Sequence, residues 1–211
     1  MDPFFSRVVL TPQLEQFLAR YPDLELDLVA TDMPGDLVAH GFDCAIRFGE
    51  PTASGLIARK LLDTRILTVA APSYLERHGR PKQPNDLASH RCIHYRDPQS
   101  RQLFAWEFWR GDEVVPVQVS GALTVSDVGT LLAACTAGVG VAQVMGLGSQ
   151  HLLDSGALVE LFPDWSNEVF PLYASYHSRH QPPAKVRALT DFCAELARNM
   201  PELPSTITPA T

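Results

Sequence analysis

The sequence predicts an α/β protein, because strand and helix patterns alternate along most of its length. From Leu24 to Ala30, apolar residues alternate with mostly acidic ones, as in a half-covered strand. Phe42 to Phe48 is a mostly apolar run of the kind that is buried in a parallel sheet. From Val125 to Ala142, a helix pattern rich in Leu and Ala leads into a short apolar strand, Val139 to Ala142. These modules predict layers of helices packed on sheets.

The first half of the chain gives clear helix limits. Apolar residues at helical spacing predict a helix from Phe5 to Arg20, with Ser6 as its N-cap and Tyr21-Pro22 as its stop. Gly41 is expected to end a short helix over Asp36 to His40. Further elements are predicted in order: a strand at Arg65–Ala71, helices at Ser73–His78 and Pro84–Ala88, and a strand at Cys92–Tyr95.

The second half continues the alternation. Ser126 or Asp127 is expected to cap the central helix, and Gly111-Asp112 predicts a hairpin turn between two strands. Lys185 to Asn199 reads as an amphipathic helix, while the proline-rich tail from 201 to 211 is predicted to be disordered. The remaining predictions are strands at Ala105–Arg110, Val114–Ser120, Leu158–Leu161 and Leu172–Tyr176, and a helix at Gly148–Asp154.

Composition excludes several classes of function. The chain has 211 residues, 45% of them hydrophobic and 19% charged, which is typical of a globular protein. Its formal net charge is −7 and its 17 Lys and Arg residues are scattered, so direct DNA binding is not expected. No signal peptide or membrane-spanning run is visible, which predicts a cytoplasmic location. The four cysteines are far apart and are expected to be buried, reduced thiols.

Candidate motifs for chemistry have simpler explanations. Ala137–Ala142 contains the glycines of a dinucleotide fingerprint, but its helix precedes its strand, so a tight turn is favoured. His177 and His180 could hold a metal, although a solvated loop is the more common explanation. Trp106 and Phe108 are expected to fill the core, with Trp109 on the opposite face of the strand. No catalytic group, metal or cofactor is predicted, and the chain is not expected to be an enzyme.

Helix N-termini at strand ends are the best candidates for a ligand site. They present unpaired backbone N–H groups and a partial positive charge, which suit a carboxylate. Ser6 and the pair Ser126-Asp127 occupy such places. Simple N-capping is an equally good explanation for each, and the two roles are compatible.

The order and spacing of several segments resemble the effector-sensing domain of LysR-type transcriptional regulators, over about Phe5 to Leu196. The individual motifs are loose, but together they are specific. They are the segments Phe17–Pro22, Gly41–Gly49, Asp86–Cys92, Val125–Ala142 and Gly156–Leu161.

The resemblance implies a two-lobed, periplasmic-binding-protein-like (type II) fold with two crossover strands. Lobe I would hold residues 1–64 and 173–200, and lobe II residues 65–172, with crossovers at Arg65–Ala71 and Val169–Tyr176. A small-molecule effector would lie in the cleft between the lobes. The positions that match the effector site are Phe5, Ser6, Thr31, Phe48, Gly49, Glu50, Ser126, Asp127, Val144 and Met145.

Two expectations concern partners and the start of the chain. The resemblance implies homodimers or tetramers that pair through the first helix, Arg7–Arg20, and the central helix, Asp127–Ala137. DNA would be bound only through an N-terminal winged helix-turn-helix, which this sequence does not contain, and no membrane is involved. Most of the strand that should precede the first helix is also missing, which is expected of a trimmed chain or a truncated gene start.

Two rival functions share this fold class. A free-standing solute-binding protein has the same two-lobed architecture, but a leader sequence is not visible. An enzyme of the same fold is disfavoured by the lack of a clustered nucleophile, base or metal set. The sequence therefore predicts a sensor whose output lies outside this chain.

Overall fold

The computed structural model describes residues 1–32, 41–51, 55–177 and 182–199. The chain forms two compact units. The first unit contains Met1–Asp63 and the described residues from Phe170 onward, and the second contains Thr64–Val169. The boundary between Asp63 and Thr64 lies within the long strand Ile57–Ala70, and the boundary between Val169 and Phe170 lies at the start of the strand Val169–Tyr176. The predicted helix at Asp36–His40 and the predicted tail lie outside the described residues.

The first unit begins with a continuous helical run over residues 3–20, here called α1. Its N-cap is Asp2, followed by Pro3 at the first helical position, so the prediction of Ser6 as the cap is wrong. The Asp2 carboxylate accepts a hydrogen bond from a backbone N–H of the first turn that has no partner within the helix, and the ring of Pro3 fixes φ near its helical value. This local signal decides where the helix begins. Ser6 lies one turn inside the helix and is buried.

Proline explains the irregular middle of α1. Pro12 has no N–H to donate and its ring crowds the carbonyl one turn earlier. The backbone responds with a π-helical turn at Ser6–Leu10, where Thr11 N–H bonds to the Ser6 carbonyl, and a 3₁₀ turn at Thr11–Gln13. Regular α-helix resumes at Leu14–Arg20.

The sheet of the first unit is antiparallel in its described ladder. Strand β1, Cys44–Phe48, pairs with β9, Val169–Tyr176, so the parallel pairing expected from its apolar run is wrong. Residues 24–30, predicted as a strand, form no assigned ladder. They nevertheless run beside Met1, whose ammonium donates to the Val29 carbonyl.

The C-terminal helix α5, Ala184–Asn199, closes the first unit as its amphipathic pattern predicts. It buries Val186, Leu189, Phe192 and Cys193. Phe192 packs against Phe17 of α1 with 5.1 Å between ring centroids, and Arg20 joins Glu195 at 2.8 Å. These contacts fix α1 against α5.

The second unit is built on the far half of the long strand β2, Ile57–Ala70. This strand pairs antiparallel with both β7, Ala142–Met145, and β8, Val159–Leu161. The strand predicted at Val139–Ala142 therefore begins three residues too early, because the turn at Gly138, where φ is 75°, is followed by residues that precede the ladder. The other strands are β3 at Arg91–Tyr95, parallel to β6 at Ser120–Val125, and the hairpin of β4 at Glu107–Arg110 and β5 at Glu113–Pro116.

The helices of the second unit follow the predicted order, and their limits differ from the predicted ones by one or two residues. The 3₁₀ segment Pro84–Ser89 stands where a helix start was predicted. The hairpin turn at Gly111-Asp112 is confirmed, with a positive φ of 59° at Gly111. The helices are α2 at Pro72–His78, α3 at Val128–Thr136 and α4 at Gln150–Asp154.

Two apolar clusters cover the two faces of β2, as strand alternation requires. Leu67 and Val69 join a cluster that includes Leu131 of α3. Ala70 joins the other cluster, which includes Trp106 and Phe108. Both aromatic residues are buried, so their predicted place in the core is confirmed.

Candidate functional site

The N-terminus of α1 is occupied by the protein's own carboxylate. Asp2 Oδ1 accepts from the Phe5 backbone N–H at 2.8 Å, and the Ser6 N–H donates to the Asp2 carbonyl at 3.0 Å. Burial raises the pKa of Asp2, and the hydrogen bond from Phe5 partly opposes that rise. Phe5 has no exposed surface and belongs to the core of its unit. An acceptor from outside would therefore find this helix end already capped.

The backbone of Met1-Asp2 brings Thr31 and β1 together. The Thr31 N–H donates to the Met1 carbonyl at 3.0 Å, and the Asp2 N–H donates to the Ile46 carbonyl at 2.8 Å. These two residues thus occupy the place between residues 29–31 and β1. Thr31 is half-buried beside the start of α1.

The end of β1 carries an aromatic pair. The rings of Phe48 and Phe170 are parallel within 8°, with 5.8 Å between centroids. Gly49 has φ of +92° and donates its N–H to the Pro171 carbonyl at 2.9 Å, so a side chain there would be strained. Glu50 is exposed and accepts from the Tyr173 hydroxyl at 3.5 Å. Phe48, Gly49 and Glu50 therefore form one continuous surface with β9.

The N-terminus of α3 is also capped from within. Asp127 Oδ1 accepts from the Thr130 N–H at 2.7 Å and from the Thr130 hydroxyl at 2.8 Å. Of the two predicted caps, the structure selects Asp127. Ser126 is exposed, and its hydroxyl has no hydrogen-bond partner among the described residues.

Val144 and Met145 lie on β7, opposite Leu67 and Ile66 respectively. Val144 is 2% exposed and packs in the cluster that contains Leu131 of α3. Met145 is also buried, and its carbonyl accepts from the Ser149 hydroxyl at 2.7 Å. The structure thus uses these two predicted site residues mainly for packing.

Other ionisable groups form no metal cluster. Within the described ranges, no group of three or more His, Cys, Asp or Glu side chains is placed to hold a metal ion. His177 is exposed, and its sequence neighbour His180 lies outside those ranges. Burial raises the pKa of Glu168 to about 7, and the nearby Glu107 carboxylate adds to that effect. Burial also raises the pKa of the Cys92, Cys135 and Cys193 thiols to about 12.

Sequence reasoning missed two residues that shape these positions. Asp2 could have been found, because Asp followed by Pro is itself a signal for a helix start. Phe170 carried no such signal. Its stacking on Phe48 depends on the register that pairs Phe48 with Leu172, which places Phe170 diagonally across the ladder.

The comparisons with known proteins agree with one another. An HTH-type transcriptional repressor of Pseudomonas aeruginosa strain UCBPP-PA14 is 31% identical over 198 residues, covering 94% of this chain and 62% of the relative. The HTH-type transcriptional regulator YhjC of Escherichia coli K12 is 32% identical over 194 residues, covering 92% and 65%. The structure of CrgA, a LysR-type transcriptional regulator from Neisseria meningitidis, matches with a TM-score of 0.80 and 29% identity, covering 92% and 66%.

The chain spans about three-fifths of the length of the first two relatives, 62% and 65% respectively. These relatives are named as transcriptional regulators and not as enzymes. No helix in the described part of the chain is long and apolar enough to span a bilayer. Residues 1–198 match the LysR substrate binding domain family, with the periplasmic-binding-protein-like type II fold, and the chain belongs to that family.

Proposed function

We propose that this chain is the effector-sensing part of a LysR-type transcriptional regulator that acts in the cytoplasm. The family match over residues 1–198 supports this proposal most strongly. The chain covers about three-fifths of relatives that are named as regulators. DNA binding would then belong to a winged helix-turn-helix domain of the full-length protein, and this chain would bind the small-molecule effector.

Each unit contributes candidate effector positions, and the proposed limits of the two lobes are residues 1–64 with 173–200, and 65–172. In the first unit these are Ser6, Thr31 and the surface from Phe48 to Glu50. In the second they are Ser126 and the start of α3. Phe5 and Val144 would support neighbouring residues, because both are apolar side chains that pack in the core of their own unit.

Effector binding would act by population shift. A ligand that binds one arrangement of the protein more tightly than another favours that arrangement by its difference in affinity. By analogy with the family, two or four copies of the chain would pair through α1 and α3. The ligand-induced shift would alter this pairing and so affect DNA binding by the full-length protein. Leu18 on α1 is 44% exposed, which suits a contact between copies.

A thermal-shift screen of small organic molecules tests the binding site. Ser126→Phe places a large ring at the start of α3, so it should abolish effector-dependent stabilisation without unfolding the domain. Ser89→Phe is the matched control, since Ser89 is also an exposed serine of the second unit but lies at the end of a 3₁₀ segment. If Ser126→Phe keeps the full ligand-dependent shift, the site is elsewhere.

A further inference from the structure

We propose that the first unit contains a slot for one further β-strand, and that the residues directly preceding Met1 in the full-length regulator fill it. The walls of the slot are residues 24–30 on one side and β1 on the other, and Met1-Asp2 lies between them. This inference goes beyond the proposed function and relies on it in one respect, because the occupying residues would belong to the full-length protein.

The first wall is bonded to Met1 in the manner of a parallel ladder. The Met1 ammonium donates to the Val29 carbonyl, and the Met1 carbonyl accepts from the Thr31 N–H at 3.0 Å. In a parallel pair, one residue bonds in this way to the two neighbours of the residue opposite it, which here is Ala30. A chain that continues backward from Met1 would therefore run alongside residues 24–29.

The second wall is bonded to the residue after Met1. The Asp2 N–H donates to the Ile46 carbonyl at 2.8 Å. The Arg47 guanidinium, near the end of β1, donates to the carbonyl of Asp32, just after the first wall ends. Both walls thus run in the same direction, and a strand that continues from Met1 would be parallel to both. Two strand spacings separate the walls, roughly 9.5 Å, which leaves room for one strand.

The backbone groups that would continue these ladders point into the slot. Because the Ile46 carbonyl is bonded to Asp2, strand alternation directs the Ile46 N–H and both backbone groups of Cys44 away from β9. On the first wall, the Val29 N–H and both backbone groups of Asp27 are placed in the same way. None of these groups has a backbone partner in the part of the chain that the structure describes. Such a row of donors and acceptors is a template for another strand.

The side chains along the walls define which residues fit the slot. Leu28 and Cys44 are half-buried on the face that carries the buried Ile46, whereas Asp27 is exposed on the opposite face. In the register set by Met1, the second residue before it would lie between Leu28 and Cys44 and should be apolar. The third would lie beside the Asp27 carboxylate, which suits lysine or arginine. The slot therefore takes a strand that alternates apolar and polar residues.

The surroundings of the Met1 amino group suit a neutral peptide N–H. Burial lowers the pKa of this ammonium, and the nearby Arg47 guanidinium lowers it further. A peptide N–H in its place would keep the bond to the Val29 carbonyl and bring no charge to desolvate. The relatives are also longer than this chain, which covers 62% of the first one. A strand in the slot would tie the DNA-binding domain to the sheet of the first unit by a rigid connection.

Two extended chains test the slot and its register. Each carries five added residues between an initiating methionine and Met1 of the 211-residue chain. The first extension, Lys-Ile-Lys-Val-Thr, places apolar residues two and four positions before Met1. The second, Ile-Lys-Val-Lys-Thr, has the same composition with the alternation shifted by one residue, which turns its apolar side chains to the wrong face.

Hydrogen exchange measured by NMR on the amides of Val29 and Ile46 reports on the slot directly. We expect the first extension to slow exchange at both amides by about tenfold or more relative to the unextended chain, because both N–H groups gain an acceptor. The second extension should leave both rates nearly unchanged. The Leu131 amide, in the core of the second unit, is the reference and should exchange at the same rate in all three chains.

The other possible results overturn the inference. If neither extension slows exchange, the walls do not accept a strand. If both extensions protect the two amides equally, the assigned register is wrong. If the amides of the unextended chain are already protected in a concentration-dependent way, a second copy of the chain occupies the slot. None of these results bears on effector sensing, which the thermal-shift screen tests separately.

Discussion

The cap of α3 gives the sharpest test of how the second unit is stabilised. Replacing Asp127 with Ala removes the acceptor for the Thr130 N–H and for the Thr130 hydroxyl, both shorter than 3 Å. Loss of an N-cap costs about 1 kcal/mol, and the further bond to the hydroxyl and the favourable helix dipole add to it. We expect the free energy of unfolding to fall by about 1–2.5 kcal/mol.

Asp127→Asn is the matched control. Asparagine caps helices about as well as aspartate and keeps an oxygen for Thr130, so only the charge is lost. We expect this variant to stay within about 1 kcal/mol of the unaltered protein and to be clearly more stable than Asp127→Ala.

Urea unfolding followed by tryptophan fluorescence measures the effect in the correct unit. All three tryptophans, Trp106, Trp109 and Trp165, lie between Thr64 and Val169, as Asp127 does. The dependence of the free energy on urea should be unchanged, because the surface exposed by unfolding is the same. If the Ala and Asn variants unfold at the same urea concentration, side-chain capping by Asp127 does not stabilise α3 and the reasoning fails.

Three further predictions address pairing, packing and pH. Leu18→Glu should shift the chain toward monomer in sedimentation velocity. Leu103→Glu is the control and should not, because Leu103 is 46% exposed but lies outside both proposed pairing helices. Equal effects of the two variants would contradict pairing through α1. Gly121→Ala should lower the free energy of unfolding of the second unit, measured in urea, by more than about 2 kcal/mol, because the new Cβ would lie 1.7 Å from the Cys92 carbonyl oxygen. A nearly unchanged free energy would refute that close approach. The pKa of Glu168 is raised to about 7, so the folded state holds this proton more tightly than the unfolded chain, and stability should fall as pH rises from about 4.5 to 7. Glu168→Gln should remove that decrease and be more stable at pH 8 by an amount on the order of 1 kcal/mol, and an unchanged pH profile would show that this carboxyl is not desolvated.

The sequence alone was sufficient where local chemistry decides structure. The apolar stripe of Lys185 to Asn199 correctly predicted α5, and Gly111-Asp112 correctly predicted a hairpin, because spacing and backbone preference act within a few residues. The family resemblance was equally readable, since it depends on the order of such local signals. It was confirmed over residues 1–198.

Local signals also compete, and the sequence does not rank them. Ser6 was a reasonable N-cap, but Asp2-Pro3 is a stronger one, and the helix begins there. The central helix offered Ser126 or Asp127 as caps, and in the folded protein the Asp127 carboxylate accepts from the Thr130 N–H.

What the sequence determined by itself is the class of protein: an α/β member of the LysR substrate binding domain family, with helix and strand patterns that set most elements. Tertiary structure decided how these elements pair and what the candidate site offers. The antiparallel register of β1 with β9 stacks Phe48 on Phe170, and burial turns Val144 into a packing residue. Register and burial arise from contacts between distant segments, so no local pattern carries them.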